Sequence, residues 1–462
     1  MRRRFKNSLD MGRSHMNLEP FRFWKGEILS LSLILSLSLV GTSPLWARDP
    51  TAGFAYVTNA GGSVSAYDIT AKTGALVPVA GSPFATGVLP VSVAVHPSGR
   101  FAYVANSGIP TGAYSVSAYA VNEKTGALTE ILGSPFATGV QPASVTVNPN
   151  GRFVYVADAG LDVGDISVYA INATTGALSP VPGSPFAAGH EATSLAVSPN
   201  GRFVYVTNNI LQFSDETGGV SAFVVNATTG ALAPVEGSPF AAGMETFGMA
   251  IHPNGRFAYV ANALSNDVSV YSINATTGAL TPIPGSPFAA DFGSISVALS
   301  PNGRFAYVAN VSADDVTAFT INTTTGGLAP VPGSPFAAGP GPFAVAVSPD
   351  GQFAYVANQF SSDVSAYTID ATTGGLAPVP GSPFAAGGSP TSVTTTAPEK
   401  RCKHHDEEER DERDDDERRD GRGRDDDEHH RFDGKHGCHH IGEKDFEEHD
   451  NDDAQERGRD HF

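Results

Sequence analysis

His190 and Glu191 place an imidazole beside a carboxylate, the pairing that general acid–base chemistry uses near neutral pH. A general base also needs a positioned partner and a group that stabilises developing negative charge. No unique Ser and no Lys or Arg accompany this pair in the sequence. His96 and His252 each stand before a Pro where sister segments have Ser, and they read as turn residues. At the far end of the chain, Cys402, His404 and His405 form one cluster of soft and borderline ligands, and Cys438, His439 and His440 a second. Their spacing matches no standard zinc module. The expectation is therefore either a divalent metal held by the tail or, in an exported protein, a disulfide between Cys402 and Cys438. No other cofactor is expected.

The elements that must position these residues announce themselves by repetition. Gly-Ser-Pro-Phe-Ala begins at Gly81, Gly133, Gly183, Gly237, Gly285, Gly333 and Gly381, and Tyr-Val-Thr/Ala-Asn/Asp begins at Tyr56, Tyr103, Tyr155, Tyr205, Tyr259, Tyr307 and Tyr355. A period near 50 residues, kept seven times, is the mark of a propeller blade. Within one unit, Ser296–Ser300 reads as a strand, Pro301-Asn302-Gly303 as a tight turn, and Phe305–Asn310 as a second strand. Val316–Ile321 and Leu328–Val331 make the third and fourth, so each unit is one four-stranded blade. The first unit lacks an inner strand and the last ends after one, so the all-β ring is expected to close by pairing residues 392–396 with the blade of residues 54–79.

These motifs, with Pro-Asn-Gly-Arg-Phe, Asp-Val-Ser-Ala-Tyr and Thr-Thr-Gly-Ala-Leu around them, resemble the YVTN repeat of the lactonase-like seven-bladed β-propellers, the family that includes 6-phosphogluconolactonase. The resemblance runs from about Phe54 to Thr396. It implies the propeller fold and, as one alternative, lactone hydrolysis; His190 is the catalytic candidate only if that alternative holds, and only from its own position beside Glu191. No family catalytic residue maps onto this sequence, because the matching positions are the repeat itself.

Composition divides the chain into three. Residues 1–49 carry eight Lys and Arg against four acids, then an apolar run over Ile28–Val40 that is too short for a membrane span of ~20 residues. This reads as a secretory signal, with an uncleaved anchor as the alternative, and the protein is expected to be secreted or periplasmic. Residues 50–398 form the propeller, with 7 Lys and Arg against 18 Asp and Glu. That acidity argues against nucleic acid as a partner. Residues 399–462 hold 26 acids, 14 bases and 9 His with four large apolar side chains, a composition expected to stay disordered.

Length variation picks out one side of the ring. The loop from second to third strand carries all the extra residues, in blades two to four, at Ser107–Ser115, Ala159–Asp165 and Asn209–Gly219. Insertions on one face of a repeat protein often mark its binding face. Strand counting places this loop beside the segment that leads into each inner strand. The expected ligand-binding set is Glu191, Phe213, Asp215, Glu216, Glu245 and Asp291, with Phe213 as apolar anchor. All seven basic residues of the propeller should lie on the opposite face. A monomer binding an unknown protein, a sugar or a cationic ligand is the resulting expectation, with catalysis left uncertain.

Overall fold

The computed structural model describes residues 51–160, 163–209 and 218–398. They form seven sheets, each built in the order inner, second, third and outer strand. In blade six these are Ser294–Leu299, Phe305–Asn310, Asp315–Ile321 and an outer strand in two pieces, Leu328–Pro330 and Phe336–Ala337. Blades two, three, four, five and seven start at Pro90, Pro142, Ala192, Thr246 and Pro342. Blade one takes its inner strand, Pro390–Thr395, from the far end of the propeller. That strand pairs antiparallel with Thr51–Asn59, matching Val57 to Val393 and Tyr56 to Thr394. The ring closure read from the two broken units is therefore present, beginning two residues earlier than expected.

The division of the outer strand departs from the simple four-strand reading. Both pieces pair with the third strand, and the Gly-Ser-Pro segment bulges out between them. Proline has no N–H to give the ladder. The serine repairs the gap: its Oγ accepts the third-strand N–H that the bulge leaves free, at Ala66→Ser82, Ala118→Ser134, Val168→Ser184, Ala222→Ser238, Val270→Ser286, Ala318→Ser334 and Ala366→Ser382. The most conspicuous motif of the sequence is thus a device for bending an edge strand without stranding a buried donor.

Packing explains the remaining motifs. Each of the seven hydrophobic clusters joins two adjacent blades, such as Tyr307, Val316 and Ala318 of blade six with Ala354, Val356 and Tyr367 of blade seven. A blade alone would expose both sides, so the ring is the smallest unit that buries them. The second-strand tyrosines are fully buried, and burial holds their phenols protonated by pushing their pKa values up. Six of them donate to the carbonyl of the turn glycine in the next blade, as Tyr205 does to Gly278 at 2.9 Å and Tyr355 to Gly74 at 2.9 Å. The Tyr-Val and Thr-Thr-Gly motifs are the two halves of one interblade bond. Gly326 shows why glycine is required: its φ is +80°, and a Cβ there would lie 2.5 Å from the Phe257 ring. Replacing Gly326 by Ala is expected to lower stability by about 2 kcal/mol or more. A melting midpoint within a degree of wild type would contradict this clamp.

Candidate functional site

Hydrogen bonding assigns the loops to faces. The loop after each second strand bonds back to the segment entering the same blade, through Ser107 N–H to Leu89, Asn209 N–H to Glu191, Ala263 N–H to Glu245 and Gln359 N–H to Gly341. These two loop types therefore share one face, as strand counting required. On the other face, the arginines after the inner hairpins are occupied structurally. Arg152, Arg202 and Arg304 donate to turn carbonyls of the next blade, at Ala227 and Thr228, Ala275 and Thr276, and Ala371 and Thr372. Five guanidinium groups lie over Phe rings with centroid distances of 5.1 to 5.5 Å, a favourable cation–π geometry. No Lys or Arg of the described residues is left for the loop face.

That face has a second character which sequence reading missed. Among the described residues, eight of the eleven exposed large apolar ones lie on it: Val88, Val140, Met244 and Phe292 on the entry segments, and Ile109, Val163, Leu264 and Phe360 on the second-to-third strand loops. Phe292 is 66% exposed and Phe360 70%. Single exposed apolar residues are ordinary, but eight distributed round one face, interleaved with acids, make an interaction surface. The signal was available in the loop sequences.

The acids gather in two groups. Burial raises the Glu191 carboxyl above its ordinary range, Glu245 raises it further, and His190 opposes the shift. In blade six, Asp315 is pushed up to about 6, first by burial and then by Asp291 and Asp314. Asp291 thus belongs with blade six, apart from the Glu191 and Glu245 pair. Its carboxylate also accepts the Phe292 N–H at 2.8 Å, which fixes the entry segment. Glu245 has φ +55°, yet Leu89, Gln141 and Ser389 share that conformation at corresponding places, where Gly293 and Gly341 serve blades six and seven. The fold sets that backbone. Phe213, Asp215 and Glu216 lie outside the described residues, as do Cys402, His404, His405, Cys438, His439 and His440. Among the described residues no group of three or more His, Cys, Asp or Glu is placed to hold a metal ion.

His96 and His252 are structural: each ring Nε2 donates to the hairpin-glycine carbonyl of the next blade, Gly151 and Gly303, at 2.9 Å. The Asn or Asp closing each second strand is not a cap for its own turn. It reaches across to the third strand, Asn106 to Ser117 at 2.9 Å and Asn310 to Thr317 at 2.8 Å. The self-capping turns are instead those of Asn172, Asn226 and Asn274, whose Oδ1 accept two backbone N–H each. Asp158 replaces the amide in blade three. It is 1% exposed, accepts from Ser167 Oγ at 2.6 Å and Thr138 Oγ1 at 3.1 Å, and burial pushes its pKa up to about 7.

Residues 217–395 match the family model described as lactonase, 7-bladed beta-propeller, which bears out the resemblance read from the repeats. A Bacteroides uniformis structure assigned as a 6-phosphogluconolactonase superposes with a TM-score of 0.64 at 22% identity, covering 74% of this chain and 99% of its own. The periplasmic gluconolactonase PpgL of Pseudomonas aeruginosa gives 0.63 at 20%, over 75% and 99%. Hydrazine synthase of Kuenenia stuttgartiensis also shares the fold, at 0.52 and 20% over 69% and 93%. At these identities the likeness concerns the fold alone, and the named activities differ among carriers of it. No curated protein sequence matches the chain.

Proposed function

We propose that this lactonase-type propeller acts outside the cytoplasm as a non-catalytic binding protein, and that its loop face docks a partner presenting basic groups among apolar ones. One observation carries the reading: the face that lacks Lys and Arg is the face that displays Phe292, Phe360, Met244 and Leu264. Desolvated apolar anchors supply affinity, and a carboxylate rim selects cationic partners and steers their approach. The near-identity of the seven blades agrees with this, since a docking surface needs no unique catalytic constellation.

The expected result is saturable binding of an amphipathic lysine–leucine peptide, followed by fluorescence anisotropy on the full chain. Glu191→Lys with Glu245→Lys should weaken it about tenfold at low salt, and salt should weaken the wild type in the same direction. Arg100→Ala should leave binding unchanged, because that residue faces the other way. Equal affinities for the charge-reversed and wild-type proteins would defeat the proposal.

A second reading, lactone hydrolysis, is favoured by the family match together with His190 at the edge of a cleft. It requires turnover of glucono-δ-lactone or its 6-phosphate above the spontaneous rate, lost in His190→Ala. The binding reading expects no such turnover.

A further inference from the structure

A cavity of about 600 Å³ opens between blades three and four, at their outer strands, and reaches His190 and Gly218 at the edge of the loop face. Two of its lining positions depart from the commonest residue of the repeat. The third-strand residue paired with the last residue of the second strand is Ser63, Ser115, Asp165, Asp267, Asp315 or Asp363 in six blades but Gly219 in blade four. A Cβ at Gly219 would stand 3.4 Å from the Phe240 carbonyl and 3.5 Å from the Pro239 ring, both of which line the cavity, so the missing side chain is missing from this space. Four residues on, Tyr67, Tyr119, Tyr169, Tyr271 and Tyr367 donate to the outer-strand carbonyl of the preceding blade, at Ala385, Ala85, Ala137, Ala241 and Ala337. Blade four has Phe223 at that position, and no phenol reaches the carbonyl of Ala187. Phe223 and Ala187 both line the cavity.

We propose that this cleft is a small-molecule site for a compact apolar ligand bearing one hydroxyl, an aryl or alicyclic alcohol. Its apolar body lies against Phe240, Pro239 and Phe223, and its hydroxyl donates to the Ala187 carbonyl in place of the absent tyrosine oxygen. The volume suits a ligand of this size, and walls of this kind with a few polar groups at one end are the usual make-up of such sites. The polar end is already ordered. Asn208 Nδ2 bonds the carbonyls of Ala188 and His190 at 2.9 Å each, and Ser221 Oγ sits 2.7 Å from the Ala188 carbonyl. That end of the cleft therefore presents fixed groups to the ligand, which lowers the cost of ordering on binding.

The probe is 2-naphthol, titrated by its fluorescence against the full chain. One saturable site is expected, with affinity at least tenfold lower in Gly219→Asp, which restores the residue type of blades five to seven and fills the space. Phe223→Tyr should weaken binding about tenfold by taking the Ala187 carbonyl, while keeping the packing of the other blades. Phe319→Tyr, the same exchange in blade six where Asp315 keeps the strand-opening side chain, should leave binding unchanged. 2-Methoxynaphthalene, which cannot donate, should bind about tenfold more weakly than 2-naphthol to wild type. Absence of saturable binding to wild type, or affinity unaltered in both Gly219→Asp and Phe223→Tyr, overturns the proposal. Loss of binding in Phe319→Tyr would do the same by separating the effect from this cleft.

Discussion

Deleting Thr391–Thr396 is expected to lower the melting midpoint by ten degrees or more and to make the chain aggregate. The segment holds all but Pro390 of the strand that the far end of the propeller contributes to blade one. It pairs with Ala55–Thr58 along one edge, and at its end the Thr396 N–H donates to the Phe54 carbonyl while the Phe54 N–H donates to Thr396 Oγ1. Thr391 ties it to blade two through the Pro90 carbonyl at 2.8 Å, and Thr395 Oγ1 reaches Val347 of blade seven at 3.1 Å. Its removal strips three blades of a neighbour, exposes a strand edge and uncovers the cluster around Val57, Val393 and Tyr355. Differential scanning calorimetry of the deleted and intact chains checks this. A midpoint within two degrees would mean that the ring does not depend on its closure.

Asp158→Asn is expected to stabilise the protein, and to do so by an amount that depends on pH. Burial is the first cause of the raised pKa; hydrogen bonds from Ser167 and Thr138 only moderate it. With the folded value near 7 and the ordinary one at 3.8, the folded chain keeps between these limits a proton that the unfolded chain releases. The protonated form therefore favours folding fully at the acid end of that window. The contribution is lost as pH rises through about 7, and the loss is on the order of 4 kcal/mol. An amide at this position carries no charge and can make the bonds Asn106 makes, to Thr86 through Oδ1 and to Ser117 through Nδ2. The melting midpoint of Asp158→Asn should exceed wild type by several degrees at pH 8, by about a third as much at pH 5 and by little at pH 4. An equal gain at all three values, or a loss at pH 8, would place the proton elsewhere.

Much of this architecture was legible before any coordinates, for a physical reason. A repeat writes each structural requirement seven times, so Tyr307 and Gly374 declare themselves as obligatory even though the bond between them, at 3.0 Å, is not visible in sequence. The ring closure was legible because an unpaired inner strand and a blade without one must find each other. What stayed hidden were partnerships between distant residues. The bulge at Ser334-Pro335 looks like an ordinary turn until Ser334 Oγ is seen accepting the Ala318 N–H. Gly219 and Phe223 look like drift in a repeat until the space they leave is seen. The site was read by charge and loop length, which separated the faces correctly but grouped Asp291 with Glu191, although Asp291 acts on Asp315. The exposed Phe292 and Phe360 went unread because apolar loop residues carry no periodic signal.

The most direct test of the docking face is a hydrogen-exchange footprint of the full chain with the amphipathic lysine–leucine peptide bound. Protection is predicted in the entry segments and second-to-third strand loops, at Val88–Leu89, Ser107–Ile109, Met244–Glu245, Asp291–Gly293 and Gln359–Ser362. Protection confined to the arginine face, around Asn150–Arg152 and Asn200–Arg202, would show that binding belongs to the other side of the ring and would contradict the account.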